Sequence, residues 1–438
     1  MLSKSRNIVF WTLDSLKGGK VRKAYQDLKK YYYLDSTSTA LKEYQKKSLN
    51  QLLQSAVNDT KYYNEIGHVN GIYDFPVVNK DTIREKQESF LSKKFKKEEL
   101  IEMSTSGSTG TPFVAYQNEG KKRRVNGETI FFNEMAGYKV GYKFVFLRSL
   151  NNKNKKTKLK QKMENQKILD VDKMDKYNIE RIINEIEKFT NRKSATLLSY
   201  ASTYDIIRDY LKETQVSSVK KCNIHGIIST SEILYDETRR YMSDAFDCNC
   251  YSRYANMENG MLGQDSPEHP NTFIINEANY YIEILKMDSD DSAEFGEVGR
   301  VVVTDLYNYA MPMIRYDTGD IGSFTYVNLN GKKKKAITNF GGRKIDMVFD
   351  IEGNTISPHK ISVTFWNFSE LKQFQFIQET KNKYRVLIST REKFNRKNEL
   401  IESLKAILGR NADICIETVE SIPLLKSGKR KYITNNIE

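Results

Sequence analysis

The sequence predicts an α/β protein with a large N-terminal domain and a small α+β domain at its C-terminus. Short apolar runs alternate with helix-like segments between residues 101 and 246, a pattern typical of a mainly parallel sheet with helices on both faces. After Tyr280 the strands become closely spaced and are joined by acidic or glycine turns, which predicts an antiparallel subdomain. A chain of 438 residues is also too long for one ordinary core.

The N-terminal region is basic and rich in tyrosine, and its apolar spacing predicts helices. Residues 1–36 would form an amphipathic helix that docks on the main domain or makes peripheral contact with a membrane. A second helix would begin after Ser38 or Thr39, and a third, capped by Asn79 or Asp81, would follow Pro76.

The alternating middle part and the subdomain give the following expectations. We predict strands at Phe113–Gln117, Phe144–Leu150, Ala195–Ser199, Ile224–Ile228, Tyr281–Leu285, Gly299–Asp305 and Ile321–Val327, and helices at Gly120–Ala136, Ile179–Lys188, Ser202–Leu211 and Asp236–Phe246. The lysine-rich stretch Asn151–Lys162 is predicted to be an exposed loop. It lacks interleaved aromatic or arginine residues, which argues against a nucleic-acid partner.

The small domain is predicted from residue 343 to residue 438, and the large domain from 1 to 342. A hairpin near Gln373–Gln378 and Tyr384–Ser389, a helix at Lys397–Leu408 and a strand at Asp413–Thr418 form a unit of ordinary domain size. The junction contains paired glycines, which would supply a flexible connection.

The overall charge is strongly positive. There are 70 Lys and Arg residues against 56 Asp and Glu, a net charge of +14. This favours polyanions, anionic lipid headgroups or phosphorylated substrates, or it reflects a lysine-rich proteome. Four cysteines in a chain of this length do not form a disulfide framework, and the apolar run Ile8–Leu13 is short and lacks a cleavage site, so we expect a cytoplasmic protein.

The segment from Ser104 to Pro112 is the most distinctive part of the sequence. Six hydroxyl side chains and two glycines fall within eight residues, namely Ser104, Thr105, Ser106, Gly107, Ser108, Thr109, Gly110 and Thr111. Glycines let backbone N–H groups turn inward and bind an anion, and the hydroxyls add donors for phosphate oxygens. A solvated polar turn is the structural alternative, and the common P-loop is excluded because no Gly-Lys-Ser/Thr follows at the required spacing.

Four later stretches carry further candidate binding residues. Tyr254–Gly260 carries an aromatic residue four positions before Glu258, which suits a ring over adenine and a carboxylate for Mg²⁺. Arg315–Asp320 places Asp320 after a glycine, where its carboxylate can accept hydrogen bonds from ribose; a hairpin turn is the alternative. Phe340–Asp346 offers Arg343, and Lys426–Arg430 offers Lys429 after a small Ser-Gly pair.

In this order the five stretches resemble the nucleotide loop, the Tyr-x-x-x-Glu and Tyr-x-Thr-Gly-Asp motifs, the Gly-Arg hinge and the Gly-Lys motif of the adenylate-forming superfamily. Within it, the chain looks most like the phenylacetate–CoA ligase group, and especially its CapK-like, capsule-biosynthesis branch. The segments Pro76–Lys80 and Gly353–Pro358 support this, and the resemblance covers roughly residues 40–438.

The resemblance implies an enzyme that uses ATP and Mg²⁺ to convert a carboxylic acid into an acyl-AMP with release of pyrophosphate. The acyl group would then pass to CoA, or to a sugar-linked amine or hydroxyl in surface-polysaccharide synthesis. Catalysis would fall to Lys429 and Glu258, with Glu258 also binding the metal. Nucleotide contacts are expected from the Ser104–Thr111 loop and from Ser231, Glu232, Tyr254, Ala255, Asn256, Asp320 and Arg343.

The sequence lacks one structural feature of the family, and it leaves alternative functions open. The family's structural zinc would be absent, since Gly263–Asn271 and Lys332–Phe340 lack cysteine, and the thiols near His225 are interpreted as structural. Candidate acid-pocket residues are Phe131, His225, Tyr251 and Asn256. The alternatives are a nucleotidyl transferase that leaves AMP on an acid, and a non-catalytic basic scaffold at a membrane surface.

Overall fold

The computed structural model describes residues 2–105, 113–150, 155–191, 193–343, 348–356, 361, 364–365, 367–368, 370–390, 393–423 and 431–437. For Thr105, residues 341–343 and Thr355 it describes the backbone only. These residues divide into one unit of 1–318 with 323–338 and a second unit of 319–322 with 339–438.

The helices have the following bounds. They are α1 Leu2–Leu16, α2 Lys20–Tyr32, α3 Thr39–Asp59, α4 Lys61–Asn64, α5 Lys80–Glu85, α6 Gln87–Phe90, α7 Glu119–Met135, α8 Lys158–Glu164, α9 Lys176–Thr190, α10 Ala201–Glu213, α11 Asp236–Phe246 and α12 Lys397–Leu408. Short 3₁₀ turns lie at Ile72–Asp74, Lys97–Glu99 and Lys220–Cys222.

The strands are β1 Ile101–Thr105, β2 Phe113–Gln117, β3 Lys143–Arg148, β4 Gln166–Asp170, β5 Ala195–Tyr200, β6 Ile224–Thr230, β7 Asn249–Asn256, β8 Gly260–Ser266, β9 His269–Ile275, β10 Tyr280–Leu285, β11 Gly299–Asp305, β12 Tyr316–Leu329, β13 Lys332–Arg343, β14 Val348–Phe349, β15 Thr355–Ile356, β16 Leu371–Gln378, β17 Lys383–Thr390, β18 Asp413–Thr418 and β19 Ile433–Asn435. Eleven of them form one sheet in the order β10-β11-β12-β13-β9-β8-β7-β6-β5-β3-β4.

Strand β7 joins the two parts of that sheet. Its first half pairs parallel with β6, and its second half pairs antiparallel with β8. The predicted parallel sheet and antiparallel subdomain are therefore both present, but hydrogen bonding runs through both of them without a break. Helices α9, α10 and α11 bury their apolar sides in a core with the parallel strands, as the sequence predicts.

Local capping explains where several helices begin. The side chain of Ser38 accepts a hydrogen bond from the backbone of Leu41 and starts α3, and Asn79 accepts from Asp81 and Thr82 to start α5. The predicted caps Ser38 and Asn79 are confirmed. At the N-terminus, α2 buries Val21, Ala24, Leu28 and Tyr32, so this helix docks on the large unit.

The second unit has its own core beneath a four-stranded sheet in the order β18-β17-β16-β19. Strands β16 and β17 form the predicted hairpin, and α12 and β18 have the predicted bounds. Strand β19 pairs parallel with β16, which the sequence analysis did not predict.

One local prediction is wrong, and one structural alternative is excluded. The stretch Asn151–Lys162 is not wholly a loop, because α8 begins at Lys158 with Thr157 as its N-cap. The hairpin turn that was the alternative for the motif Arg315–Asp320 is excluded, because Tyr316–Asp320 form the start of β12. No helix in the described ranges combines the length and the apolar character needed to cross a membrane.

Candidate active site

Glu258 lies in the short turn between β7 and β8, and the turn is held from three sides. Within it, the backbone N–H of Asn259 donates to Oδ1 of Asn256 at 2.8 Å. From β2, Nε2 of Gln117 donates to the carbonyl of Glu258 at 3.0 Å. The hydroxyl of Tyr280 donates to the carbonyl of Asn259 at 2.9 Å. The backbone around Glu258 is therefore fixed before any ligand binds.

The carboxylate of Glu258 is almost fully buried, with 2% of the side chain exposed. It accepts a hydrogen bond at Oε1 from the hydroxyl of Tyr316 at 2.8 Å. The ammonium of Lys80 lies 3.4 Å from the same oxygen and is 34% exposed. A buried carboxylate requires such partners, because an isolated charge would be strongly disfavoured there.

Lys80 reaches this position because the preceding segment pairs with the strand that carries Tyr316. The backbone N–H of Val78 donates to the carbonyl of Arg315 at 3.0 Å, and that of Asp317 donates to the carbonyl of Val78 at 2.8 Å. Two residues later, Lys80 begins α5. Backbone pairing therefore places an N-terminal lysine beside a carboxylate from the middle of the chain.

Phe113, which directly follows the glycine-rich segment, lies beside Tyr316 and Lys80. Its ring is stacked near Tyr316, with centroids 6.4 Å apart and an interplanar angle of 8°. The ammonium of Lys80 lies 5.8 Å from the Phe113 ring centroid. Thr105 pairs with Phe113 across antiparallel strands β1 and β2, so the two ends of the segment from 106 to 112 are side by side. That segment itself lies outside the described residues.

A buried polar network supports the turn from behind. Glu128 accepts hydrogen bonds from the backbone of Met261 at 3.1 Å and from Asn279 at 2.6 Å. Lys121 and Asp305 form a fully buried ion pair at 2.6 Å, and Lys121 also contacts Tyr280. Burial raises the pKa values of Glu128 and Asp305. The network therefore fixes Tyr280, and through it the Glu258 turn.

Tyr254, Ala255 and Asn256 lie at the end of β7, in the strand that leads to Glu258. Only 5% of Tyr254 is exposed; its ring packs beside Phe273, and its hydroxyl donates to Thr318 at 3.4 Å. This hydrogen bond joins the second motif to the third. Coverage of adenine by the Tyr254 ring stays a prediction.

Ser231 and Glu232 follow β6. Ser231 is exposed and has φ of 71°. Glu232 accepts hydrogen bonds from the backbone N–H of Ser202 at 2.9 Å and from its hydroxyl at 2.7 Å, so it caps the start of α10. A nucleotide contact by either residue stays a prediction.

The remaining predicted site residues end strand β1, belong to the second unit or lie outside the described residues. Asp320 is half-buried in β12, and the backbone of Arg343 ends β13. The loop residues Ser106, Gly107, Ser108, Thr109, Gly110 and Thr111, and the catalytic candidate Lys429, are not among the described residues. Ser104 and the backbone of Thr105 end strand β1.

One predicted pocket residue is wrong. Phe131 is 2% exposed and packs against Tyr32 and Phe132 in the core beneath α2, so it does not line an open pocket. Its apolar character serves helix docking. His225 lies with Nε2 at 2.9 Å from Oγ1 of Thr196, and burial lowers its pKa.

The cysteines are free thiols in the interior and at the surface. Cys222 and Cys250 are buried and Cys415 is exposed. Burial raises the pKa of Cys222 to about 12 and that of Cys250 to about 11. Within the described part of the chain, no three His, Cys, Asp or Glu side chains gather so as to hold a metal ion.

Comparison with solved structures identifies the fold, and comparison with known sequences shows a similarity to CapK. A 2-hydroxyisobutyryl-CoA ligase in its postadenylation state, with R3-HIB-AMP bound, superposes with a TM-score of 0.74 at 15% identity, covering 92% of this chain and 91% of the ligase. ATP-bound MatB from Rhodopseudomonas palustris gives a TM-score of 0.54 at 14% identity over 75% of this chain and 65% of MatB.

In sequence, residues 348–436 match the model of the CapK C-terminal domain. Over 386 residues the chain is 26% identical to Protein CapK of Staphylococcus aureus, covering 84% of this chain and 81% of that protein. The chain resembles CapK and has the fold of these ligases. The fold class predicted from the sequence pattern and the CapK-like resemblance predicted from the five motifs are thereby confirmed.

Sequence reasoning on this CapK-like chain missed Lys80. The segment Pro76–Lys80 supports only a family resemblance in the sequence, although its lysine begins a helix directly after an Asn cap. The helix dipole disfavours a cation at the first turn of a helix. The unfavourable placement of Lys80 is therefore a signal, although a weak one, that could have marked this residue as functional.

Proposed function

We propose that the chain activates a carboxylic acid by adenylation. A carboxylate oxygen of the acid attacks the α-phosphorus of ATP, the bond from that phosphorus to the oxygen bridging the β-phosphate breaks, and pyrophosphate leaves. The observation that carries the proposal is the buried carboxylate of Glu258, held by Tyr316 and Lys80 beside the end of the glycine-rich segment.

The donors at this position fit a magnesium ion that arrives with ATP. Mg²⁺ takes carboxylate oxygen readily and is usually held by one or two carboxylates together with substrate phosphates. Glu258 would supply the carboxylate, with Tyr316 fixing its orientation. Bound there, the metal would neutralise phosphate charge. The ammonium of Lys80 lies 3.4 Å from the same carboxylate, so this position offers a phosphate a second positive charge beside that of the metal.

The remaining roles follow from the motifs. The loop from Ser104 to Thr111 would hold the β- and γ-phosphates with backbone N–H groups and hydroxyls. Asp320 and Arg343 would contact the ribose and phosphate oxygens, and Lys429 would bridge the acid carboxylate and the α-phosphate. The small domain, residues 343–438, would then rotate so that a second nucleophile can attack the acyl-AMP.

We further propose that this nucleophile is CoA, or a sugar-linked amine or hydroxyl in the synthesis of a surface polysaccharide. CoA is supported by the solved neighbour that holds 2-HIB-AMP together with CoA, which matches with a TM-score of 0.62. The surface-polysaccharide role is supported by the similarity to Protein CapK. A polar or aromatic acid suits the mixed surroundings of His225 and Tyr251 better than a long acyl chain.

The deciding experiment is a screen for pyrophosphate release with ATP and Mg²⁺ over carboxylic acids, amino acids included. We expect release to depend on one acid class and to fall about 10²- to 10³-fold in Glu258→Gln, which keeps an oxygen that can accept from Tyr316. The exposed Glu65→Gln is the matched control. A stable AMP-acid that no acceptor consumes would identify a nucleotidyl transferase, and the absence of pyrophosphate with every acid would favour the scaffold.

A further inference from the structure

Helix α1 presents its apolar side chains to solvent. Leu2, Val9, Leu13 and Leu16 are 66%, 56%, 51% and 78% exposed. Their spacings of seven, four and three residues place them on one face of the helix. An amphipathic helix that only covers a protein core turns such a row inward, so the outward apolar row of α1 requires another explanation.

The opposite face of α1 is firmly attached. Nδ2 of Asn7 donates to the carbonyl of Val140 at 3.0 Å. The carboxylate of Asp14 accepts from the backbone N–H groups of Val21 and Arg22 at 3.1 and 2.9 Å. The contact is also close, since a Cβ on Gly141 would lie 2.5 Å from the carbonyl of Ser3. The exposed row is therefore presented by a fixed helix.

Helix α8 lies beside α1 and also exposes apolar side chains. Nη2 of Arg6 donates to the carbonyl of Lys162 at 3.4 Å, which makes the two helices neighbours. On α8, Leu159 and Met163 are four residues apart, on one face, and 69% and 68% exposed. Two adjacent helices thus each expose an apolar stripe.

The exposed charges around both stripes are mainly positive. Exposed or partly exposed cations are Lys4, Arg6 and Lys17 on or beside α1 and Lys158, Lys160 and Lys162 on α8. The nearby acidic groups have partners: Asp14 is buried against α2, Glu164 pairs with Lys156 at 2.5 Å, and Glu119 pairs with Lys20 at 3.4 Å. An apolar stripe bordered by lysines suits the boundary between acyl chains and anionic headgroups.

We propose that α1 and α8 form a membrane-docking surface that binds the interface of an anionic bilayer. The apolar stripes enter the headgroup boundary while the lysines contact lipid phosphates. A protein partner would need an acidic rim around an apolar groove, whereas an anionic bilayer offers both chemistries on any patch. This inference does not depend on adenylation.

The test is co-sedimentation of the full chain with vesicles of phosphatidylcholine alone or mixed with phosphatidylglycerol. We expect binding to the anionic vesicles only, weakening as salt screens the lysines. The double variant Val9→Glu, Leu13→Glu should lose at least about tenfold in binding, since a charge is strongly disfavoured among acyl chains. Tyr177→Glu changes a 76% exposed aromatic residue on α9 and should bind normally.

Each other outcome would overturn the proposal. These are no binding by the wild-type chain, equal binding by the double variant, and binding that ignores lipid charge. A wild-type dimer in gel filtration that the double variant dissociates would instead assign the surface to a second copy of the chain. Thermal unfolding checks that all variants are folded.

Discussion

The ammonium of Lys80 lies 3.4 Å from Oε1 of Glu258, and the same ammonium lies 5.8 Å from the ring centroid of Phe113. One N-terminal lysine thus contacts the Tyr-x-x-x-Glu motif and the residue that follows the glycine-rich segment. The pair joins a partly exposed lysine to a buried carboxylate, so loss of the lysine would leave the Glu258 charge without a compensating cation. Its position suggests a role in binding phosphate.

Replacing Lys80 by Met tests that role. Met keeps an apolar stem against Phe113 and removes only the charge. If the ammonium contacts a phosphate, its loss removes a charged hydrogen bond of about 1.5–3 kcal/mol, so KM for ATP should rise about tenfold or more. Steady-state kinetics with varied ATP measures this. The exposed Lys61→Met is the control, and an unchanged KM would limit Lys80 to holding Glu258.

Substitution of Gly260 tests whether the packing around the Glu258 turn is needed for stability and activity. The φ of Gly260 is 127°, and an added Cβ would lie 2.7 Å from both Oε2 of Glu128 and the hydroxyl of Tyr280. Gly260→Ala should therefore cost about 1–3 kcal/mol of stability and reduce adenylation, because Tyr280 and the turn must shift. Urea unfolding and ATP–pyrophosphate exchange check both effects.

Gly71→Ala serves as the comparison for Gly260→Ala. Gly71 has extended backbone, with φ of −175°, and nothing lies within 4 Å of an added Cβ. This variant should match the wild-type chain in both measurements. Equal stability of the two variants would show that the turn accommodates a methyl group on Gly260, and that its rigidity does not position Glu258.

The burial of the cysteine thiols predicts how fast each of them reacts. Burial raises the pKa of Cys222 to about 12 and that of Cys250 to about 11, so at pH 8 both are neutral and slow to react. Burial also raises the pKa of Cys248. Alkylation of the native chain at pH 8 should modify exposed Cys415 first, and Cys415→Ser should abolish that rapid phase.

The buried thiols should react only after denaturation. Rapid modification of Cys250 in the native chain would contradict its interpretation as a structural thiol. Elemental analysis tests the companion prediction that the family's zinc is absent, and stoichiometric zinc in the purified chain would refute it.

Local chemistry explains which elements the sequence predicted well. Strand β2, helix α11 and helix α12 match their predicted bounds because each has a strong apolar period and a turn or cap at its end. The family motifs likewise indicated the fold. By contrast, α8 was not predicted, because this lysine-rich helix contains only two apolar residues, Leu159 and Met163, and two residues are too few to reveal a helical period.

The remaining features depend on pairing between distant segments. Nothing near Val78 in the sequence indicates that it pairs with the strand at Arg315 and so brings Lys80 to Glu258. The change from parallel to antiparallel pairing within β7 is likewise set by its two neighbours. Of the candidate site, the sequence could therefore supply the motifs but not the lysine that contacts them.

Replacing Lys429 distinguishes an enzyme from a non-catalytic scaffold. An ammonium that acts on charge developing around the α-phosphorus contributes mainly to the transition state, and losing one such donor typically lowers turnover about 10²- to 10³-fold. Lys429→Ala should therefore fold and bind ATP normally but lose adenylation. Calorimetry with ATP and pyrophosphate exchange measure the two properties.

The second half-reaction supplies the control for Lys429→Ala. If the small domain rotates after adenylation, Lys429 leaves the reacting atoms, so transfer from a preformed acyl-AMP should be nearly unaffected. Supplying the acyl-adenylate directly and timing the transfer isolates that step. Equal losses in both halves would refute domain alternation, because the lysine would then serve both steps from one position. No loss in either half would favour the scaffold, since a binding protein has no reacting phosphorus for the ammonium to stabilise.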